Sequence, residues 1–374
     1  MHGEYKTPGG KLVVVDCTIR EGRLADVEVT GDFFLYPEEA LDTITRALTG
    51  LPTSLPADEI AALIHAHVGD GVTFLGFSPE AIGIAVTRAM SEQAAGSKQQ
   101  AAENVGAYRV PGAQSSALDS RWRSYDWHLI PAVARDPAMN MALDAVLTER
   151  VGAGKRPATL WIWGWNAPCV VLGRFQSVRN EIDEEDARAL GISFVRRITG
   201  GGAMFIQPGG AITYSVIAPE SLVAGMSFAE SYAFLDSWAV AGLRALGVDA
   251  TYVPLNDISS STGKIGGAAQ ARRGGAVLHH ATIACELDIE QMARVLRIGR
   301  EKLSDKGIAS AAKRVSPLRQ QTDLPRDTII ERLVASFADR YGLTPDTVHP
   351  DEEAEAARRV HEQFDTHEWR YILP

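Results

Sequence analysis

Residues 263–283 read GKIGGAAQARRGGAVLHHATI, and the interpretation of the whole chain turns on them. Glycines 263, 266 and 267 surround Lys264. A lysine so placed is unusual in a strand or hairpin, because glycines remove side-chain cover and leave the ammonium open to a ligand. It can hold an α-phosphate and an attacked carboxyl oxygen, stabilising the charge that develops during adenylation. A surface lysine on a glycine-rich hairpin is the plainer reading, and this stretch alone does not displace it. At its far end stand His279 and His280. Adjacent side chains on a strand point to opposite faces, so the two cannot ligate one ion. One is expected to line a pocket and the other to be structural.

Just upstream lie Asn256 and Asp257, and further back RRITGGGA at 196–203. Three consecutive glycines after a strand let backbone approach a ligand, and successive N–H groups can form an anion-binding nest. Arg196 and Arg197 would supply bidentate bonds to carboxylate or phosphate. No GK[ST] or GxGxxG follows, which excludes a P-loop and a dinucleotide fingerprint. A tight turn with two surface arginines remains the competing reading.

Around these segments, TLWIWGW, CVVLG, SFVRRI, AITYSVIA and HATIACELD read as strands, most too apolar to be sheet edges. DPAMNMALDAVLTERV predicts a helix capped by Asp136 with Pro137 at its first position, and SFAESYAFLDSWAVAGLRALG a long second one. The expected fold class is α+β: a mixed, mostly antiparallel sheet with flanking helices and a helical C-terminal third. At the N-terminus, KLVVVDCTIREGRLADVEVT predicts two strands around a turn at Gly22. Helices should follow near Pro37, near Asp58 and after the Ser78-Pro79-Glu80 cap, completing a small α+β module by about residue 92. The Ala-, Gln-, Ser- and Gly-rich stretch that follows reads as a linker.

At 374 residues the chain suits two domains. No apolar run approaches the roughly 20 residues that span a bilayer, and the N-terminus lacks signal-peptide features, so a cytoplasmic protein without membrane partners is expected. Cys17, Cys169 and Cys285 fit neither a disulfide framework nor a metal knuckle. Of the net charge of −10, residues 1–120 carry most, with 16 acidic and 8 basic residues. Residues 294–319 form a basic stripe: Arg294, Arg297, Arg300, Lys302, Lys306, Lys313, Arg314 and Arg319 against Glu301 and Asp305. The acidic balance and the lack of a stacking-aromatic motif argue against nucleic acid.

Taken together and in order, DPAMNMALDAVL, PCVVLGRFQ, RRITGGGAMF, AITYSV, ND with GKIGGAAQARRGGAVLHHATI, and KGIASAAKRVSPL resemble the lipoate-protein ligase family, with its biotin/lipoate-ligase-like fold. GGKLVVVDCTIREGRLADVEVTGDFFLYPEEAL is similar to the family's small accessory domain, here leading the chain. The resemblance implies an accessory domain at 1–92, a linker at 93–121 and a catalytic domain at 122–374. It implies adenylation of lipoate by ATP with Mg²⁺, then transfer to a lysine of a lipoyl-domain acceptor, such as a 2-oxoacid dehydrogenase acyltransferase subunit or a glycine-cleavage H-type protein. By the same resemblance Lys264 is catalytic and contacts lipoate and the α-phosphate. Arg197, Gly200, Gly201, Gly202, Ala203, Arg174, Gln176 and His279 or His280 would surround lipoyl-AMP. Asn256, Asp257 and Gly267 would lie beside the adenylate, with Asp257 turned toward magnesium, phosphate or the incoming lysine. Trp163, Val171, Val195 and Ala203 are expected in the acyl tunnel, and the basic stripe would meet the acceptor. Ile206-Gln207 and Gly210 depart from the family pattern and bear on acyl or nucleotide recognition.

Rival readings are an octanoyl or lipoyl transferase of the same fold working through a cysteine, a biotin ligase, and a non-catalytic lipoate-binding scaffold. The loop VPLNDISSSTG, where some transferases carry the cysteine, has none. The GRGRxGR-type loop of biotin ligases is also missing.

Overall fold

The computed structural model describes residues 1–91, 115–297 and 315–374. An eight-stranded sheet dominates, in the order Thr251–Val253, Asp257–Ser260, Gly263–Arg273, Ala276–Ala284, Ala211–Pro219, Ala158–Ile162, Trp127–Ile130 and Thr344–Pro345. The first six strands pair antiparallel. The last two add parallel pairs at the far edge. The mixed, mostly antiparallel α+β fold expected from the sequence is the one observed.

Two helices sandwich this sheet. Pro137–Gly152 starts where Asp136 accepts from the Ala138 amide at 2.9 Å and Pro137 supplies the preset first φ. Phe228–Ala245 opens with a capping box between Ser227 and Glu230. The faces they cover differ. On one, Trp238, Tyr214 and Phe337 join a core with Trp122 and Trp127; on the other, Met141, Leu143, Leu147, Trp161 and Trp163 pack together. A strand buried on both faces reads as a continuous apolar run, which is why AITYSVIA lacks alternation.

A second, three-stranded sheet pairs Cys169–Leu172 parallel with Ser193–Arg196 and antiparallel with Met204–Ile206. The glycine-rich segment thus links two neighbours of one central strand.

The N-terminal residues form a three-stranded sheet of His2–Lys6, Leu12–Arg20 and Arg23–Gly31, covered by helices Ala40–Leu48, Ala57–Val68 and Pro79–Met90. Val13, Val15, Ile44, Ile64 and Ile82 centre a core of its own. The first helix begins three residues after Pro37, later than the sequence suggests.

Of the expected linker 93–121, residues 93–114 lie outside the described residues. Residues 115–123 form a helix, and Trp122 is buried against Trp127, Phe234 and Tyr341. A lone tryptophan in polar surroundings gave no helical periodicity; tertiary burial fixes the segment.

The C-terminal tail closes the joint between the N-terminal module and the rest. Leu373 packs on the module's core, and its carbonyl receives the Val178 amide at 3.1 Å.

Candidate functional site

Lys264 and Asp257 face each other across a hairpin. Asp257 pairs in register with Gly267, and the Lys264 ammonium donates to Asp257 Oδ1 at 2.7 Å. A Cβ on Gly267 would stand 3.2 Å from Lys264 Nζ and 3.6 Å from Asp257 Oδ1. Glycine at 267 therefore keeps the ion pair uncovered, as the glycine-flanked lysine suggests. Asn256 is buried and clamps the hairpin, its Nδ2 donating to the Ala268 carbonyl at 2.6 Å.

Lys264, Gly267 and Asn256 border a cavity of about 290 Å³. Its polar end holds Lys11, Asp32, Asn256 and Lys264; its apolar part is lined by Met141, Trp163, Trp165, Val171, Phe205 and Leu296, among others. Arg197, Gly202, Ala203, Gly267 and His280 also line it. Such a chamber, charged at one end and greasy along its length, suits an acid with an apolar tail. Of the expected tunnel residues, Trp163, Val171 and Ala203 line the cavity, whereas Val195 belongs to the core behind it.

The glycine-rich loop differs from a free anion nest. The Gly201 amide donates to the Phe33 carbonyl at 3.1 Å, and a Cβ on Gly200 would stand 2.5 Å from that carbonyl. Gly201 has φ +92, the left-handed region that favours glycine. Gly200 and Gly201 thus admit the N-terminal module's backbone, while Gly202 faces the cavity.

Arg196 lies outside the cavity lining, and Arg197, which lines it, is engaged by the loop. Arg196 donates to the carbonyls of Gly173, Gln176, Arg370 and Leu373. Arg197 donates to Thr199 Oγ1 at 3.0 Å and to the carbonyls of Gly200 and Gly202 at 2.7 and 3.0 Å. Burial pulls the pKa of Arg197 down to about 10, so it remains a cation at neutral pH. Its observed work is to shape the loop. Arg174 stacks over Trp369 at 5.1 Å, and Gln176 Oε1 accepts from the Gly173 amide at 2.8 Å; neither lines the cavity.

The two histidines divide as strand geometry requires. His279 turns to the Phe228–Ala245 helix and meets Asp236 at 2.8 Å, wholly buried. His280 turns to the Pro137–Gly152 helix and lines the cavity. Its Nδ1 lies 2.8 Å from Asp144 Oδ2 and its Nε2 2.7 Å from Thr199 Oγ1. Ser215 donates to Asp144 Oδ1 at 2.6 Å, and Trp163 Nε1 donates to Ser215 at 2.9 Å. One proton arrangement satisfies the chain: Arg197 donates to Thr199, Thr199 to His280 Nε2, and His280 Nδ1–H to Asp144. Burial lowers the His280 pKa, with Asp144 opposing, which agrees with this neutral tautomer.

Sequence reasoning missed Asp144, Thr199 and Lys11. Asp144 had a signal, a carboxylate in the otherwise apolar NMALDAVL helix. Lys11 had one too: it follows Gly9 and Gly10, much as Lys264 sits among glycines.

The departures from the family pattern lie outside the cavity lining. Ile206 is core, Gln207 Oε1 accepts from the Asp288 amide at 3.2 Å, and a Cβ on Gly210 would meet the Glu286 carbonyl at 3.0 Å. The described members of the basic stripe are engaged within the chain: Arg294 with Asp186, Arg297 with Asp183, Arg319 with Glu286. Arg300, Lys302, Lys306, Lys313 and Arg314 lie outside the described residues.

Residues 136–338, more than half of the chain, match the family described as lipoyl protein ligase A/B catalytic domain. The chain belongs to that family. Its N-terminal segment lies outside the match. Among curated relatives, an octanoyltransferase LipM from Kyrpidia tusciae is 31% identical over 273 residues, covering 66% of this chain and 98% of its own length. Another from Symbiobacterium thermophilum is 30% identical, covering 65% and 97%. Among solved structures, a bi-partite lipoate protein ligase studied with its E2 lipoyl domain from Thermoplasma acidophilum superposes with TM-score 0.59 at 28% identity, covering 66% of this chain and 95% of that one. Lipoate-protein ligase A bound with ATP gives TM-score 0.57 at 25% identity, covering 66% and 98%. Family membership gives lipoyl- or octanoyl-type transfer to proteins as the class of activity. No helix among the described residues is long and apolar enough to cross a membrane.

Proposed function

We propose that the chain is an ATP-dependent acyl-protein ligase: it adenylates lipoate or octanoate and passes the acyl group to a lysine of a lipoyl-domain acceptor. The observation that carries this reading is the cavity's polar end, where Lys264 (held by Asp257), Asn256, Lys11 and Asp32 gather, with no cysteine in the lining among the described residues. A transferase working through an acyl-thioester needs a thiolate beside the acyl chain. All three cysteines are buried elsewhere, and burial raises each thiol pKa, to about 11 for Cys285.

In the first step a carboxylate oxygen attacks the α-phosphorus of ATP and the bond to pyrophosphate breaks. Lys264 neutralises charge growing on the phosphoryl and carboxyl oxygens. In the second the acceptor lysine's amine attacks the acyl carbonyl, AMP leaves with the bonding pair, and the amine loses a proton. His280, held neutral, fixes Thr199 and the loop around the acyl carbonyl rather than carrying charge.

Magnesium would arrive with the nucleotide, shielding its phosphates. Among the described residues no group of three histidine, cysteine or acidic side chains stands ready to hold a metal. A single carboxylate, Asp257, fits an ion that keeps phosphate and water ligands. The N-terminal module is read as the accessory domain, and 122–374 as the catalytic domain.

The second reading, octanoyl transfer from an acyl-carrier protein, is favoured by the LipM relatives. The deciding experiment is the intact mass of an apo lipoyl domain incubated with the protein. An acyl-sized gain that requires free acid and Mg-ATP supports the ligase. A gain only from octanoyl-carrier protein, without ATP, replaces it with the transferase.

A further inference from the structure

Three cations line the cavity among the described residues, and two are already engaged. Arg197 spends its donors on backbone carbonyls and Thr199, and Lys264 is paired with Asp257. The third, Lys11, comes from the N-terminal module. Its ammonium donates to Asn256 Oδ1 at 3.0 Å, and no carboxylate among the described residues lies within 4 Å of it. Its stem is built in. A Cβ on Gly76, which has φ +85, would collide with the Lys11 side chain, and the Phe34 ring lies 5.4 Å below the ammonium.

We propose that Lys11 binds a phosphate of the nucleotide in this cavity, so that the N-terminal module supplies a ligand-contacting cation to the catalytic part. This rests on the ligase reading above. The physical case is one of unmet demand. A partly buried ammonium held by one neutral amide oxygen has lost more hydration than its neighbour returns. Burial accordingly lowers its pKa, with Asp32 and Asp257 only partly opposing from beyond pairing distance. A phosphate oxygen beside Asn256 would complete the shell with a charge-assisted bond. The acyl end of the cavity cannot do so, being apolar.

The alternative is that Lys11 merely docks the module through Asn256. Lys11→Gln keeps a polar group able to reach Asn256 but removes the charge, and Lys11→Arg restores charge. The measurements are calorimetric affinity for ATP, which needs no turnover, and the KM for ATP and for lipoate in pyrophosphate release. Lys11→Gln should weaken ATP binding and raise the KM for ATP by about 10- to 100-fold, the range for losing one charge-assisted hydrogen bond. The KM for lipoate should stay within about twofold, and Lys11→Arg should recover most of the loss. Unchanged ATP affinity in Lys11→Gln, with the wild type turning over, would overturn the proposal and leave the ligase reading intact. A wild type that binds ATP through Lys11 but releases no pyrophosphate sinks the ligase reading alone. A wild type that binds no ATP overturns both.

Discussion

The amide of Gly201 donates to the carbonyl of Phe33 at 3.1 Å, joining the glycine-rich loop of the catalytic part to the N-terminal module. The same joint carries a Gly31-to-Phe175 backbone bond of 2.9 Å and a Phe33–Phe175 stack at 5.2 Å. Two of the three glycines are therefore spent on protein–protein contact. This couples module docking to the shape of the loop that Arg197 also holds.

Gly200→Ala should break that coupling. Its methyl would stand 2.5 Å from the Phe33 carbonyl, a rigid backbone atom. Overpacking of this kind costs about 1–3 kcal/mol. The expected result is a lower melting temperature, faster hydrogen exchange at the Gly31 and Gly201 amides, and reduced acylation. Unaltered exchange at both amides would show that the module does not depend on this contact.

Lys264→Gln should lower acylation by about 10²–10³-fold, the usual effect of removing one preorganised donor to developing charge. Asp257 then loses its partner on a half-exposed hairpin, so the melting temperature should move little. Rapid-quench assay of acyl-adenylate, beside a thermal melt, separates the two effects. A variant that melts early and loses activity in proportion would make Lys264 a structural residue.

Much of this is legible in the amino-acid sequence alone. The Asp136-Pro137 and Ser227–Glu230 caps have local chemistry that marks helix starts, and residues 263–283 carry their glycine pattern in plain view. The opposed histidines follow from strand geometry, but which one faces the cavity depends on which helix covers which face. That is long-range information: Asp144 is 136 residues from His280. Arg196 misled for a related reason. An arginine beside glycines looks ligand-directed, yet bare carbonyls in a tight loop need donors just as much. Lys11 was hidden because its partner, Asn256, lies 245 residues away.

Glu181 offers a pH test of the joint. Burial, with Asp32 of the module adding, pushes its carboxyl up to about 7, against the opposing hydrogen bond from Gln176 and the charge of Arg196. A raised folded pKa means stability is full below the unfolded value, about 4.3, and is lost as pH climbs to about 7. Glu181→Gln should therefore nearly match the wild type near pH 4.5 and exceed it at pH 8, by at most about 4 kcal/mol. Urea midpoints at the two pH values check this. An equal gap at both would remove Glu181 from the titration.

A chain with Cys17, Cys169 and Cys285 all replaced by alanine or serine tests the chemistry most directly. Cys169 is fully buried between Ser193 and Ile206 in the small sheet, Cys285 sits where the Ala276–Ala284 strand ends, and Cys17 lies in the module's core. Each is a small buried hydrophobe, and burial holds its thiol protonated at neutral pH. Truncating them should cost stability, about 1 kcal/mol or more at Cys169, where no space is left over. It should leave ATP-dependent acylation within a few-fold, and alkylating reagents should act slowly on the native wild type. A folded cysteine-free chain without acylation, or rapid inactivation by alkylation at one cysteine, would demand a thioester intermediate. That residue would then have to reach the acyl carbonyl through a rearrangement of the sheet that now buries it.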